Sequence, residues 1–185
     1  MLSLSPRMTP TRILVVDDHD FVSRLLEVFL SRRGTEWKIC GSAKEGREAV
    51  AKVRQLAPDI VIMDLAMPDG MGGLEATREI KRIYPMLEIL VFSGTASASD
   101  ITAAFKAGAR GCVLKSDVAD LILPALEALR DHQVFLSPKV SKLHLDYLQH
   151  EKNQAAALTI RERERCIWWR MGKAARKLRP SWGLA

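Results

Sequence analysis

The hydrophobic positions of this 185-residue chain follow two alternating rhythms. Short apolar runs stand at 12–16 (RILVV), 37–43, 59–64 (DIVIMD), 87–92 and 111–114, each of strand length. Between them, apolar residues recur at helical spacing over 21–30, 44–56, 74–84, 98–107 and 118–130. The first helical stretch places Phe21, Leu25, Val28 and Phe29 on one side. Pro58, Pro85 and Gly108 mark boundaries where a helix stops or a turn begins. The strand-length runs carry few charges, as strands covered on both faces do. Five β-α units in succession predict an α/β fold with a five-stranded parallel, doubly wound sheet.

The pattern changes after residue 131. Ser137-Pro138 interrupts it. Residues 140–148 space Val140, Leu143, Leu145 and Leu148 as a short amphipathic element, and 150–157 (HEKNQAAA) have little to bury. Residues 132–158 therefore read as a linker. Thr159 and Glu162 then form a T-x-x-E capping box, which opens a helix. The chain divides into a domain over 11–131, the linker, and a short, incomplete helical extension over 159–185.

Composition adds an asymmetry. Residues 1–150 hold 19 basic and 19 acidic side chains, while 151–185 hold nine basic and three acidic ones. The net charge of +6 thus lies in the tail, along with three of the four tryptophans. No run reaches the roughly 18 apolar residues of a membrane span. MLSLSPRMTP lacks the apolar core of a signal peptide, so a cytoplasmic location without membrane attachment is expected. Cys40, Cys112 and Cys166 are odd in number and lack C-x-x-C spacing, which argues against a disulfide framework or a zinc site.

In a doubly wound sheet, ligands bind outside the carboxyl ends of the strands. Asp17 and Asp18 follow the first predicted strand, Asp64 ends the third, Ser93 follows the fourth and Lys115 the fifth. Singly, each has a bland use. An acid after a strand is most often a cap or turn residue, and a lone lysine is most often solvated. Jointly they describe a site. Three carboxylates brought together repel and call for a cation, and hard oxygen donors suit Mg²⁺. A carboxylate beside a metal, an amine and a hydroxyl can act as nucleophile and carry an aspartyl-phosphate.

Four segments, ILVVDDHDFVSRLL, PDIVIMDLAMPDGMGG, VFSG and GARGCVLK, resemble the flavodoxin-like receiver domain of bacterial two-component response regulators over about residues 11–131. The resemblance implies that a sensor histidine kinase donates a phosphoryl group to Asp64. It implies that Mg²⁺ is held by Asp17, Asp18, Asp64 and the backbone carbonyl of Ala66. Ser93 would be the switch hydroxyl, and Lys115 would pair with the phosphoryl group. The chain would be a phosphoacceptor with self-catalysed transfer and hydrolysis, not an enzyme acting on a separate substrate. Homodimerisation through the fourth helix, fifth strand and fifth helix is implied too. Cys112 departs from the family, where many members carry Tyr or Phe, and reads as a small buried strand residue. Pro68 and Gly72-Gly73 match the family's turn and read as backbone shaping. A phosphohydrolase on a related sheet would want an Asp where Ala66 stands.

FLSPKV and LTIRERE are similar to the receiver exit and the helix-turn-helix entry of NarL/LuxR-type regulators. That DNA-binding domain needs about four helices, and 21 residues follow Glu164. A one-base shift turns the Trp168-Trp169 junction into a Val codon, and the Met171-Gly172 and Trp182-Gly183 junctions into Gly codons. With free choice at the other codons, the tail from Cys166 re-reads as VHLVADGQSSKEIATILGLS, which resembles two helices of that domain. The expectation is a truncated or frameshifted helix-turn-helix that has lost specific DNA binding. The alternatives are a stand-alone receiver acting through protein partners or as a phosphate sink, and a basic tail that binds DNA non-specifically.

Overall fold

Six strands form one parallel sheet in the computed structural model, which describes residues 9–67, 70–94 and 97–149. They are β1 (Thr11–Val16), β2 (Trp37–Ala43), β3 (Ile60–Met63), β4 (Glu88–Ser93), β5 (Gly111–Leu114) and β6 (Phe135–Leu136). Their spatial order is β2-β1-β3-β4-β5-β6. The intervening helices are α1 (Asp20–Ser31), α2 (Gly46–Leu56), α3 (Gly73–Ile83), α4 (Ala98–Lys106) and α5 (Val118–Arg130). A single 3-10 turn, Lys115–Asp117, joins β5 to α5.

Side-chain alternation along the strands explains the layers. Ile13, Val15, Ile60, Ile62, Leu90 and Phe92 point to one face, where α1 and α5 bring Leu26, Leu30, Ile122 and Leu126. Leu14, Val16, Val61, Met63, Ile89 and Val91 point to the other, against Val53 of α2, Ile80 of α3 and Ile101 of α4. Both faces of β1, β3 and β4 are therefore dry, which is why their sequences are apolar without polar alternation. Burying each large aliphatic side chain contributes about 1.5–3 kcal/mol. Helix α4 starts with a capping box, in which Ser97 Oγ accepts the Asp100 N–H and the Asp100 side chain accepts the Ser97 N–H.

The sheet corrects the expected strand count from five to six. β6 falls in the stretch expected as linker. It is two residues long, too short to show a period, and backbone hydrogen bonds define it. Phe135 N donates to Arg110 O at 3.0 Å and Ser137 N donates to Cys112 O at 3.1 Å. Residues 138–144 continue as helix, with Val140 fully buried in the α2–α4 cluster. The chain separates into two compact units, 1–144 and 145–185; in the second, residues 145–149 are helical. The capping box at Thr159, the basic tail, the re-read segment and Pro68 lie outside the described residues. Among the described residues, no helix is long and apolar enough to cross a membrane.

Candidate functional site

The strand order reverses at β1: one connection leads outward to β2 and the next crosses to β3. Such a switch point opens a crevice at the carboxyl ends of the two strands. The acids stand there. Asp17 N donates to Ala43 O at 3.0 Å and Asp64 N donates to Val16 O at 2.9 Å, so the backbone pairing runs one residue beyond each strand. The Asp17 and Asp64 side chains are only 1% and 4% exposed.

Backbone N–H groups orient both carboxylates. Asp17 Oδ1 accepts the His19 N–H at 3.0 Å, and Asp64 Oδ1 accepts the Ala66 N–H at 3.0 Å. Their other oxygens converge on Lys115, whose Nζ lies 2.5 Å from Asp17 Oδ2 and 2.6 Å from Asp64 Oδ2. The contact with Asp64 is a hydrogen bond. The contact with Asp17 has ion-pair distance but not hydrogen-bond direction, so Asp17 Oδ2 is a buried oxygen balanced by charge alone. Asp18 is half-buried, with Oδ1 2.8 Å from His19 Nδ1. Donor atoms of Asp17, Asp18 and His19 all lie within 4.8 Å of one another. Two carboxylates, one with a buried oxygen lacking a hydrogen-bond donor, fit a hard divalent cation.

Ser93 is the last residue of β4 and fully buried. It is in register with Leu114, the residue before Lys115. The Met63–Val91 register places Asp64 level with Phe92, one residue short of Ser93. The predicted residues thus gather at one rim, with Asp17, Asp64 and Lys115 in direct contact. Cys112 is fully buried, and burial pushes its thiol up to about 12, as a small core residue requires.

The sequence reading missed His19 and left open which of Gly72 and Gly73 shapes the turn. His19 stands at the N-cap position of α1, where its side chain turns back to Asp18 instead of capping the helix; its place directly after Asp17-Asp18 was the available signal. Gly73 opens α3 directly on the Asp64 carbonyl, where a Cβ would stand 1.8 Å from Asp64 O. Gly72 has open space around its would-be Cβ, so only one of the two glycines is sterically required.

Burial disfavours the Lys115 ammonium, and its pairs with Asp64 and Asp17 outweigh that cost, leaving its pKa above the ordinary lysine value. A raised folded pKa stabilises the fold fully below 10.5, the unfolded value, and that stabilisation fades as pH rises through the folded value. The difference in unfolding free energy between wild type and Lys115→Met is therefore expected to stay flat to about pH 10 and shrink above it. Urea titrations across that range read it directly, and a difference that grows with pH would contradict the pairing.

A parallel sheet of this order, with buried acids and a lysine meeting at its switch point, defines a receiver-class signalling domain. The chain belongs to the response regulator receiver domain family, whose model matches residues 13–127. It is similar to the chemotaxis protein CheY of Thermotoga maritima, with 38% identity over 115 residues, covering 62% of this chain and 93% of CheY. The response regulator GacA of Pseudomonas viridiflava is 33% identical over 155 residues, 83% of this chain and 71% of GacA. Among solved structures, a LuxR-family two-component response regulator from Aurantimonas sp. SI85-9A1 superposes with a TM-score of 0.70 at 33% identity, covering 75% of this chain and 98% of that one. The chain carries the receiver of a LuxR-type response regulator, a component of two-component phosphorelay.

Proposed function

We propose that Asp64 accepts a phosphoryl group from a sensor histidine kinase, and that Asp17, Asp18, Ser93 and Lys115 serve that one transfer. The observation that supports this most is the Lys115 ammonium shared by two buried carboxylates at the crevice rim. An oxygen of Asp64 forms the new O–P bond while the P–N bond to the kinase histidine breaks. The departing imidazole keeps the bonding pair and takes up a proton. Lys115 offsets charge on the phosphoryl oxygens, and the Ser93 hydroxyl donates to one of them. Asp17, Asp18, Asp64 and the Ala66 carbonyl would hold Mg²⁺, which when bound neutralises the charge of the transferring group. Hydrolysis of the acyl phosphate at the same residues makes the chain a self-catalysing phosphoacceptor.

Acetyl phosphate with Mg²⁺ tests the transfer without a kinase. Intact-mass measurement is expected to show one added phosphoryl group in wild type, and none in Asp64→Asn or with the metal chelated. Uptake by Asp64→Asn would overturn the assignment.

The kinase must bring its histidine to this rim, and α1 leads away from it. Phe21, Leu25 and Val28 are 71%, 40% and 52% exposed along one side of α1. An apolar stripe beginning one turn from Asp17-Asp18 is where a helical partner would dock. Phe21→Asp is expected to slow transfer from the kinase that phosphorylates wild type by about tenfold or more, as loss of an aromatic anchor does. Uptake from acetyl phosphate should be unchanged. Equal slowing of both reactions would contradict the docking role.

A further inference from the structure

At the amino ends of the strands, opposite the acidic crevice, the fold leaves a cavity of about 560 Å³. Thr11, Ile60 and Glu88, the first residues of β1, β3 and β4, line it together with Pro58 after α2 and Tyr84 and Met86 after α3. The volume suits a small organic molecule, and most of the wall is apolar. Glu88 is the exception. It opens the buried strand EILVFS, stands in register with Ile60, and has a side chain only 9% exposed. A carboxylate has room for about four hydrogen bonds. Among the described residues, this one accepts a single bond, from His132 Nδ1 at 2.8 Å to Oε1. Oε2 is buried without a donor, and Arg110 Nε, 4.0 Å from it, is buried without an acceptor. Both groups are costly to keep dry and unsatisfied, so each favours a partner that enters from the cavity.

We propose that this cavity binds a small, uncharged, apolar molecule that carries a hydroxyl, of the phenol class, with its O–H donating to the Glu88 carboxylate. Three observations select that chemistry. The wall is apolar apart from a few side chains, so the body of the ligand is apolar. The formal charges on the wall cancel, Asp59 and Glu88 against Arg54 and Arg130 with His132 neutral, so there is no net field to draw a charged ligand. Arg130 is in addition held by Glu36 and by the Trp37 ring. The unsatisfied pair asks for one donor and one acceptor, and a hydroxyl is both. An oxygen can stand at about 2.8 Å from each of two atoms separated by 4.0 Å. His132 lines the cavity too, and its side chain is 66% exposed. Its ring is free to swing off Oε1 and admit the hydroxyl to the carboxylate. The site is separate from Asp64 and does not rest on its role as acceptor.

Titration of the isotope-labelled full chain with phenol, followed by amide NMR, tests it. The amides of Ile60, Leu87 and Glu88 are expected to shift and saturate with a Kd on the order of 1 mM, as a probe this small allows, while those of Asp17 and Asp64 stay in place. Anisole has the same ring but no O–H, and is expected to bind about tenfold more weakly or worse, as loss of a hydrogen bond to a charged group implies. Glu88→Gln, which keeps the shape and removes the charge, is expected to weaken phenol about fivefold. Ile83→Trp, which fills the cavity from the end of α3, is expected to abolish the shifts. Benzoate and benzamidine, the anionic and cationic counterparts, are expected to bind more weakly than phenol. Absence of saturable shifts in wild type overturns the proposal. So does anisole binding as well as phenol, or either charged probe binding better. If Glu88→Gln fails to fold, the comparison of phenol with anisole on wild type decides the hydroxyl, and Ile83→Trp decides the place.

Discussion

Lys115→Met is expected to take up phosphate from acetyl phosphate about 100- to 1000-fold more slowly than wild type. Lys115 is the cation in contact with both buried acids, and a preorganised donor aimed at developing charge is worth that much when removed. Methionine keeps most of the side-chain volume, so the stem packing survives while the charge is lost. Lys115→Arg is expected to recover only part of the rate. A planar guanidinium cannot occupy the point between Asp17 Oδ2 and Asp64 Oδ2 that a compact ammonium fills. The initial rate of phosphoryl uptake at saturating Mg²⁺ is the measurement. A loss smaller than tenfold would mean that the ammonium balances the resting acids without touching the transferred group.

Gly73→Ala is expected to destabilise the fold by about 3 kcal/mol and to impair phosphoryl uptake with it. A Cβ at Gly73 would meet Asp64 O at 1.8 Å, Asp64 C at 2.8 Å and Leu65 Cα at 2.9 Å. All three are backbone atoms, so no rotamer change relieves the overlap. Either α3 retracts from the crevice or the Asp64 peptide moves, and the second displaces the carboxylate from Lys115. The neighbouring Gly72→Ala is the matched control. Its Cβ meets nothing within 4 Å and its φ of −67° suits any residue, so a change within about 0.5 kcal/mol is expected. Urea midpoints for the pair separate steric closeness from a general intolerance of the loop.

Much of the fold was legible because period and burial agree. β5 and α5 occupy the predicted residues, and the first four strands and helices differ from the predicted bounds by two residues or fewer. The acids were legible for a topological reason. Residues just past the carboxyl ends of β1 and β3 must meet at the switch point, whatever the helices between them do. Lys115 was placed by the same rule, but its sharing between Asp17 and Asp64 required coordinates, since side-chain reach is not encoded in spacing. β6 was missed because two residues cannot show alternation. The seating of residues 137–144 was missed because Ser137 and His144 are polar, and the burial of Ser137 and half-burial of His144 follow from partners far away in sequence. Gly73 and Gly72 look alike in a sequence, and only the path of α3 over the Asp64 carbonyl tells them apart.

Asp64 is the residue on which the proposed phosphoryl transfer depends. Borohydride reduces an aspartyl phosphate to homoserine, so treating the acetyl phosphate-loaded chain with borohydride and mapping its peptides by mass spectrometry finds the acceptor. Homoserine at position 64, and at no other aspartate, is the expected result. Homoserine at Asp17 or Asp18, or a hydroxylamine-stable phosphate on Ser93, would contradict it.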